Sequence, residues 1–141
     1  MSVIYLLDTN ILSEPTRATP NLQVMQRLQQ CRHEVATASV VWHELLFGCQ
    51  RLAISRRREQ LENHFQDLLL SGLTILSYTQ AAAAEWHSAE RARLTGVGLA
   101  PAFADGMIAA TAHTHDLVLV TRNVDDFKNF SGIRIENWFE A

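Results

Sequence analysis

The stretch "YLLDTNILSE", residues 5–14, decides how the chain is read. Tyr5, Leu6 and Leu7 complete an apolar run begun by Val3 and Ile4. The run stops on Asp8-Thr9-Asn10, and apolar Ile11 and Leu12 follow at once. A short continuous apolar run bounded by polar residues is the pattern of a buried strand. Its polar end has a plain explanation, since Asp, Thr and Asn all cap helices and "DTN" can start one at Ile11.

Working outward, Pro20 is expected to open a helix with Leu22, Met25 and Leu28 on one face. Residues 35–38 read as a second strand. Ser39 then caps an apolar helix from Val40 to about Leu52, and another helix runs to about Leu70 with Leu61, Phe65, Leu68 and Leu69 inward. Gly72 ends that helix, and residues 73–76 form a strand. Thr79 caps an alanine-rich helix that ends near Gly96, and a small-residue helix spans about 104–113. Residues 117–120 and 133–135 complete the strands. No repeat, low-complexity tract or linker divides the sequence, so residues 1–141 are expected to form one domain. Short apolar strands alternating with helices imply an α/β fold with a mainly parallel sheet covered on both faces. Ligands of such sheets bind beyond the carboxyl ends of the strands, and Asp8 sits at such an end.

With 48% hydrophobic and 19% charged residues, the composition is that of an ordinary globular protein rather than a disordered one. The first apolar run is too short for a signal-peptide core and no stretch approaches a membrane span, so a cytoplasmic protein without a membrane role is expected. Cys31 and Cys49 form no close-spaced pair and suit small core positions in a reducing compartment. The net charge of −3 argues against a general nucleic-acid binder. Eleven of the twelve basic residues are Arg, however, and the planar guanidinium suits phosphate and carboxylate.

Three further acids stand in apolar company. Glu44 in "SVVWHELLFG" shares a helical face with Val40, Val41, Phe47 and Gly48, so its carboxylate is expected to point inward. Such a group either protonates or finds a cation, a buried Arg or a metal. His43-Glu44 is not a zinc-protease signature, because position 47 is Phe rather than His. Asp105 in "PAFADGMIAATA" is either a first-turn acid favoured by the helix dipole or part of a site, and Gly106 beside it implies a close backbone approach. "LVLVTRNVDDF" repeats the opening pattern, a strand ending in Thr121-Arg122-Asn123 with Asp125 and Asp126 just beyond. A doubly covered parallel sheet can bring these four segments together. Clustered carboxylates cannot all ionise without a counter-charge, and Mg²⁺ or Mn²⁺ is the fitting one. An acid-only site of this kind is the usual apparatus of phosphodiester hydrolysis.

"LLDTNILSE", "WHELLFG", "FADGMIAATA" and "LVTRNVDDF", in this order and at these intervals, resemble the PIN-domain family, and within it the VapC-type ribonuclease toxins of bacterial toxin–antitoxin pairs. The resemblance runs from Ile4 to about Trp138. It implies a three-layer α/β/α fold and a Mg²⁺- or Mn²⁺-dependent endoribonuclease whose metal-binding acids are Asp8, Glu44, Asp105 and Asp126. Asp126 precedes Phe127 as the family's fourth acid precedes its own, which favours it over Asp125. Thr9, Asn10, Thr121 and Asn123 match polar positions that support the acids. An RNA substrate (tRNA among the candidates), a cognate VapB-type antitoxin and a homodimer are also implied. Pro15 falls where many relatives continue a basic helix, which leaves the length of the first helix open.

Arg56, Arg57 and Arg58 near a helix start, and Arg91 and Arg93 near a helix end, read first as solvated or dipole-stabilised charges and second as contacts for RNA or a partner. His113 and His115 face different sides of a helix and do not form a metal pair. Trp86 and Trp138 fit core or interface positions. Two rival readings start from the same residues. A haloacid-dehalogenase-type phosphatase needs a second Asp two residues after the first, and position 10 is Asn. A non-catalytic PIN-like module that binds RNA or a partner would use the acids only structurally.

Overall fold

The computed structural model describes residues 2–140, so the two ends of the expected 1–141 span lie outside the described residues. Five strands form one all-parallel sheet in the order β3-β2-β1-β4-β5. They are β1 (Tyr5–Leu7), β2 (Val35–Ala38), β3 (Thr74–Leu76), β4 (Val118–Val120) and β5 (Arg134–Glu136). The helices are α1 (Thr9–Ser13), α2 (Leu22–Gln30), α3 (Ser39–Gln50), α4 (Arg56–Leu70), α5 (Glu85–Gly96), α6 (Phe103–Thr114) and α7 (Val124–Phe127). With the right-handed crossovers that parallel units adopt, this order sends the helices before β3 to one face and those after it to the other, giving three layers. No helix among the described residues is long and apolar enough to cross a membrane.

Leu6 and Leu7 of the central strand are completely buried, as are Ala36 of β2 and Leu119 and Val120 of β4. The strand order runs outward from β1 to β3, then returns to place β4 on the other side of β1. That reversal makes the crevice outside the carboxyl ends of β1 and β4 the topological switch point, where open parallel sheets bind their ligands.

The helices depart from the expected pattern in several places. Asn21, not Pro20, governs the start of α2, because its side chain accepts the Val24 N–H at 3.0 Å. The start is therefore shifted, Leu22 is left 83% exposed, and Val24 and Cys31 carry the buried face with Leu28. Ser39 is the first residue of α3 rather than its cap, since β2 passes directly into the helix through Ala38 without a side-chain cap. In α3 the core face is Val41, Leu45 and Cys49; Phe47 is exposed, and Glu44 lies half-buried on the flank rather than inward. This helix is apolar nearly all round, so its sequence poorly fixes which face turns in. In α4, Phe65 is buried with Leu61 and Leu68 beside it, whereas Leu69 has rotated half out to solvent. Gly72 ends that helix at φ +85°, with its N–H on the Leu69 carbonyl and the Leu73 N–H on the Leu68 carbonyl. This pairing of the last carbonyls needs a left-handed residue, for which glycine is the fit.

Pro15 settles the first helix: α1 is a little over one turn and passes into a 3-10 turn, Glu14–Thr16, that accommodates the proline. The alanine-rich helix begins as a π turn, Gln80–Ala84, in which the Ala84 N–H reaches the Thr79 carbonyl at 3.0 Å. The alanine run carries no sequence signal for this. Cys31 and Cys49 are both buried and unpaired. Trp138 is buried edge-on against Tyr5 with centroids 5.2 Å apart, under the Arg27 guanidinium at 4.8 Å. Trp86 stacks on His113 at 4.6 Å.

Gly106 is required by packing. A Cβ there would collide with the ring of His87, itself buried on α5 with Nδ1 2.9 Å from the Tyr78 hydroxyl. Gly106→Ala is therefore expected to destabilise the fold by about 1–3 kcal/mol in a denaturant melt, despite alanine's better helix propensity. In a His87→Ala background the same change should cost far less, and equal costs in both backgrounds would refute the contact.

Candidate active site

The pairing of β1 with β4 builds the centre of the site. Asp8 continues β1, its N–H donating to the Val120 carbonyl at 3.0 Å, and its side chain is buried at 6% exposure. One carboxylate oxygen accepts the Thr9 N–H at 2.8 Å, which caps α1. The other accepts the Thr121 hydroxyl at 2.8 Å. Thr121 in turn accepts the Asn123 N–H at 3.0 Å, so its hydroxyl is used as both donor and acceptor. Asn10 accepts the Arg122 N–H at 3.0 Å and ties the loop after β4 to α1. The side chain of Asn123 caps nothing; its contribution is through its backbone. The "DTN" segment thus caps a helix and immobilises a carboxylate together.

The other acids come from three further elements. Glu44 on α3 accepts the Thr9 hydroxyl at 3.1 Å, a bond between consecutive segments of the site. Asp105 lies half-buried in the first turn of α6. Asp126 lies on α7, a four-residue helix anchored by buried Phe127. Of the adjacent acids, Asp125 projects to solvent and pairs with Lys128 at 3.3 Å, whereas the charge of Asp126 acts on Asp105 and Asp8. Asp105, Asp125 and Asp126 line a cleft of about 500 Å³ with Leu99, Pro101 and Asn129.

The carboxylates act on one another through their charges. Burial, then the charges of Asp126, Asp8 and Glu44, pushes the Asp105 carboxyl up to about 6. Burial also raises Asp8, opposed by the hydrogen bonds from Thr9 and Thr121. Among the described residues, no Lys or Arg forms an ion pair with any of the four, so Glu44 has no buried Arg partner. The donors are all hard carboxylate oxygens, a set that fits a hard divalent ion. No three ligating side chains among the described residues stand close enough to hold an ion as they are.

The candidate arginines divide. Arg57 binds the Thr16 carbonyl and hydroxyl, bracing the 3-10 turn, and Arg58 binds Glu62 at 2.9 Å and the Leu52 carbonyl at 3.0 Å. Arg93 makes two hydrogen bonds to Glu90, both 3.0 Å, and one to the Asn129 carbonyl at 2.8 Å. Arg56 and Arg91 are exposed, and the Arg91 guanidinium lies 5.3 Å from the Phe103 ring centre. Sequence reasoning missed Glu90, whose buried carboxylate also accepts the Ser131 N–H and hydroxyl and so fastens α5 to the loop before β5. Its (i, i+3) spacing to Arg93 was the only available signal. Glu14 was missed too; it is buried, accepts the Asn21 N–H at 2.6 Å and pairs with Arg17.

The model of the PIN domain family matches residues 5–133, and the chain belongs to that family. Its relatives include proteins named VapC. The ribonuclease VapC2 of Haemophilus influenzae is 31% identical over 134 residues, spanning 95% of this chain and 97% of its own. The tRNA(fMet)-specific endonuclease VapC of Shigella flexneri is 30% identical over 135 residues, spanning 95% and 97%. Among solved structures, VapBC2 of Rickettsia felis bound to a promoter DNA fragment matches with a TM-score of 0.81 at 29% identity, covering 96% of this chain and 99% of that one.

Two pH-dependent effects follow. Because the Asp105 carboxyl is raised from 3.8 to about 6, the folded state holds its proton more tightly than the unfolded chain, and stability falls as pH rises through that window. Asp105→Asn should therefore stabilise the metal-free protein above pH 6, by about 1–2 kcal/mol after allowance for solvent screening, and give no such gain below about pH 4. Glu90 has the opposite sign. Arg93 first, then Ser131, lowers its carboxyl from 4.5 to about 2, so its contribution is complete above the unfolded value and is lost as pH falls toward 2. Glu90→Gln should cost about 2–3 kcal/mol at pH 7, with the difference from wild type closing below pH 4. Denaturant melts across pH 2–8 check both.

Proposed function

We propose that the chain is the toxin of a VapBC-type toxin–antitoxin pair, a Mg²⁺- or Mn²⁺-dependent endoribonuclease that hydrolyses RNA phosphodiester bonds with water. One observation carries the proposal: the charges of Asp126 on α7, Asp8 at the end of β1 and Glu44 on α3 all act on Asp105 of α6 in a PIN-family fold, with no cation ion-paired to any of the four among the described residues. The names of the relatives, ribonuclease and endonuclease, support the reaction class.

Asp8, Glu44, Asp105 and Asp126 would hold the ion. When bound, it supplies a lowered pKa for water and neutralises charge that builds on the scissile phosphate. The chain's own contribution is positional. Asp8 cannot turn, because both its oxygens are engaged, and Thr9 orients Glu44 by its hydroxyl. Asp105 and Asp126 border the open cleft through which RNA would enter. One of the carboxylates takes the proton of the attacking water. Products with a 5′-phosphate and a 3′-hydroxyl belong to the same reading.

A nuclease of this kind requires restraint in its own cell. A VapB-type antitoxin is inferred as partner, in keeping with the VapBC2 complex of the Rickettsia relative. An acid cluster without a paired cation invites an antitoxin Arg, whose guanidinium would bind carboxylates and exclude metal and RNA. A homodimer and a tRNA or other RNA target complete the proposal.

Asp8→Asn should nearly abolish Mn²⁺ binding by calorimetric titration and RNA cleavage while the fold persists. Glu44→Gln should remove cleavage yet change metal-free stability by less than about 1 kcal/mol, because it orphans no buried cation. Induction of the wild-type protein alone should arrest growth, coexpression of the antitoxin should restore it, and either substitution should remove the toxicity. Equal Mn²⁺ binding by wild type and Asp8→Asn would overturn the ligand assignment.

A further inference from the structure

We infer that the cleft between α5 and the start of α6 is a shelf for one nucleotide of single-stranded RNA, its base stacked on Phe103 and a phosphate held by Arg91. The inference rests on the endoribonuclease reading and adds a substrate subsite to it. Phe103 is the first residue of α6 and is 53% exposed, a costly position for a phenyl ring. It cannot turn inward, because the space beside it is filled by the His87 ring, 4.8 Å away between centroids and 41° inclined. That ring is itself fixed by the Tyr78 hydroxyl on one side and by Gly106 on the other. Phe103 thus rests against the His87 ring and is 53% exposed to solvent.

Arg91 lies one helical turn from His87, and its guanidinium stands 5.3 Å from the Phe103 ring centre. Unlike Arg93, locked by Glu90 and Asn129, it makes no ion pair among the described residues. The cleft between them, about 640 Å³ and also lined by Tyr78 and Ser88, is in the size range of small-ligand sites. A guanidinium that makes no ion pair, set over an exposed aromatic ring, joins a phosphate-binding cation to a stacking surface, the chemistry that grips nucleotides of single strands without reading sequence.

Position favours RNA over other occupants. Phe103 and Asp105 share the first turn of α6, two residues apart, which is about 3 Å along the helix axis and roughly 200° around it. A strand crossing the amino end of α6 would place a base on Phe103 and a neighbouring phosphate at the acids. The acid cluster repels the phosphate backbone, so a cation near it helps to seat the strand, and Arg91 is an exposed cation beside Phe103.

The test uses the full chain carrying Asp8→Asn, so that RNA is not cut, and a fluorescein-labelled single-stranded RNA dodecamer read by anisotropy. Adding Phe103→Ala should weaken binding about 5- to 100-fold, and Phe103→Trp should restore it. Arg91→Ala should lower the slope of affinity against salt by about one. With a dodecamer of abasic nucleotides, Phe103→Ala should lose much less. In the cleaving protein, Phe103→Ala should raise KM for RNA more than it lowers kcat, and should lose less activity on bis(p-nitrophenyl) phosphate than on RNA. Unchanged RNA affinity, or an equal loss on abasic RNA, would overturn the shelf. So would a switch from dimer to monomer in sedimentation with RNA affinity retained, which would assign the face to a second copy. Failure of the nuclease reading has a different signature: wild-type protein with Mn²⁺ cuts no RNA, while the Phe103 effect on binding persists.

Discussion

The carboxylate of Asp8, buried at the end of the central strand and held by the Thr9 N–H and the Thr121 hydroxyl, is the constraint on which the rest of the site depends. A buried carboxylate is expensive, and two hydrogen bonds offset only part of the cost, as its raised pKa records. Only the adjacency of β1 and β4 lets Thr121 reach it, and that adjacency comes from the reversal of strand order. The same reversal puts the loop after β4, and hence Asp126 on α7, beside the end of β1. The fully buried residues of β1 and β4 make this a rigid foundation.

The distribution of arginine sharpens the contrast between two kinds of acid. Glu14, Glu90 and Glu136 each pair with an Arg and tie segments of the fold together. Asp8, Glu44, Asp105 and Asp126 pair with none among the described residues, although eleven arginines are present in the chain. The first set is stabilised by its partners, and the lowered pKa of Glu90 shows it. In the second set the Asp8 and Asp105 carboxyls are raised, first by burial and then by neighbouring carboxylates, which costs stability at neutral pH. A fold that neutralises its structural acids and leaves one cluster charged is spending stability on a site.

Much of this was legible in the sequence. Residues 35–38 form β2 as expected, and the other strands agree to within one or two residues, because short apolar runs between polar bounds allow few alternatives. Thr9 and Thr121, which the family resemblance marked as supports for the acids, do hydrogen-bond to Glu44 and Asp8, whereas Asn10 holds the Arg122 N–H instead. The helix faces were harder. Leu22 and Leu69 turned outward because a cap and a helix register, not hydrophobicity alone, set their orientation, and α3 has too little polarity to declare its inner face. The π turn before α5, the Glu90 network and the His87–Gly106 contact join distant or locally unmarked residues, so no local pattern revealed them. Gly106 alone signalled that something comes close, without saying what.

The central claim is that Asp8, Glu44, Asp105 and Asp126 together form one divalent-metal site. Anomalous diffraction at the manganese edge, from crystals of the wild-type protein grown with Mn²⁺, addresses it most directly. The account predicts a strong anomalous peak within coordination distance of Asp8 and at least one of the other three carboxylates, drawn in from their metal-free spacing. A well-ordered site at saturating Mn²⁺ with no peak there, or with the ion bound elsewhere, would contradict it.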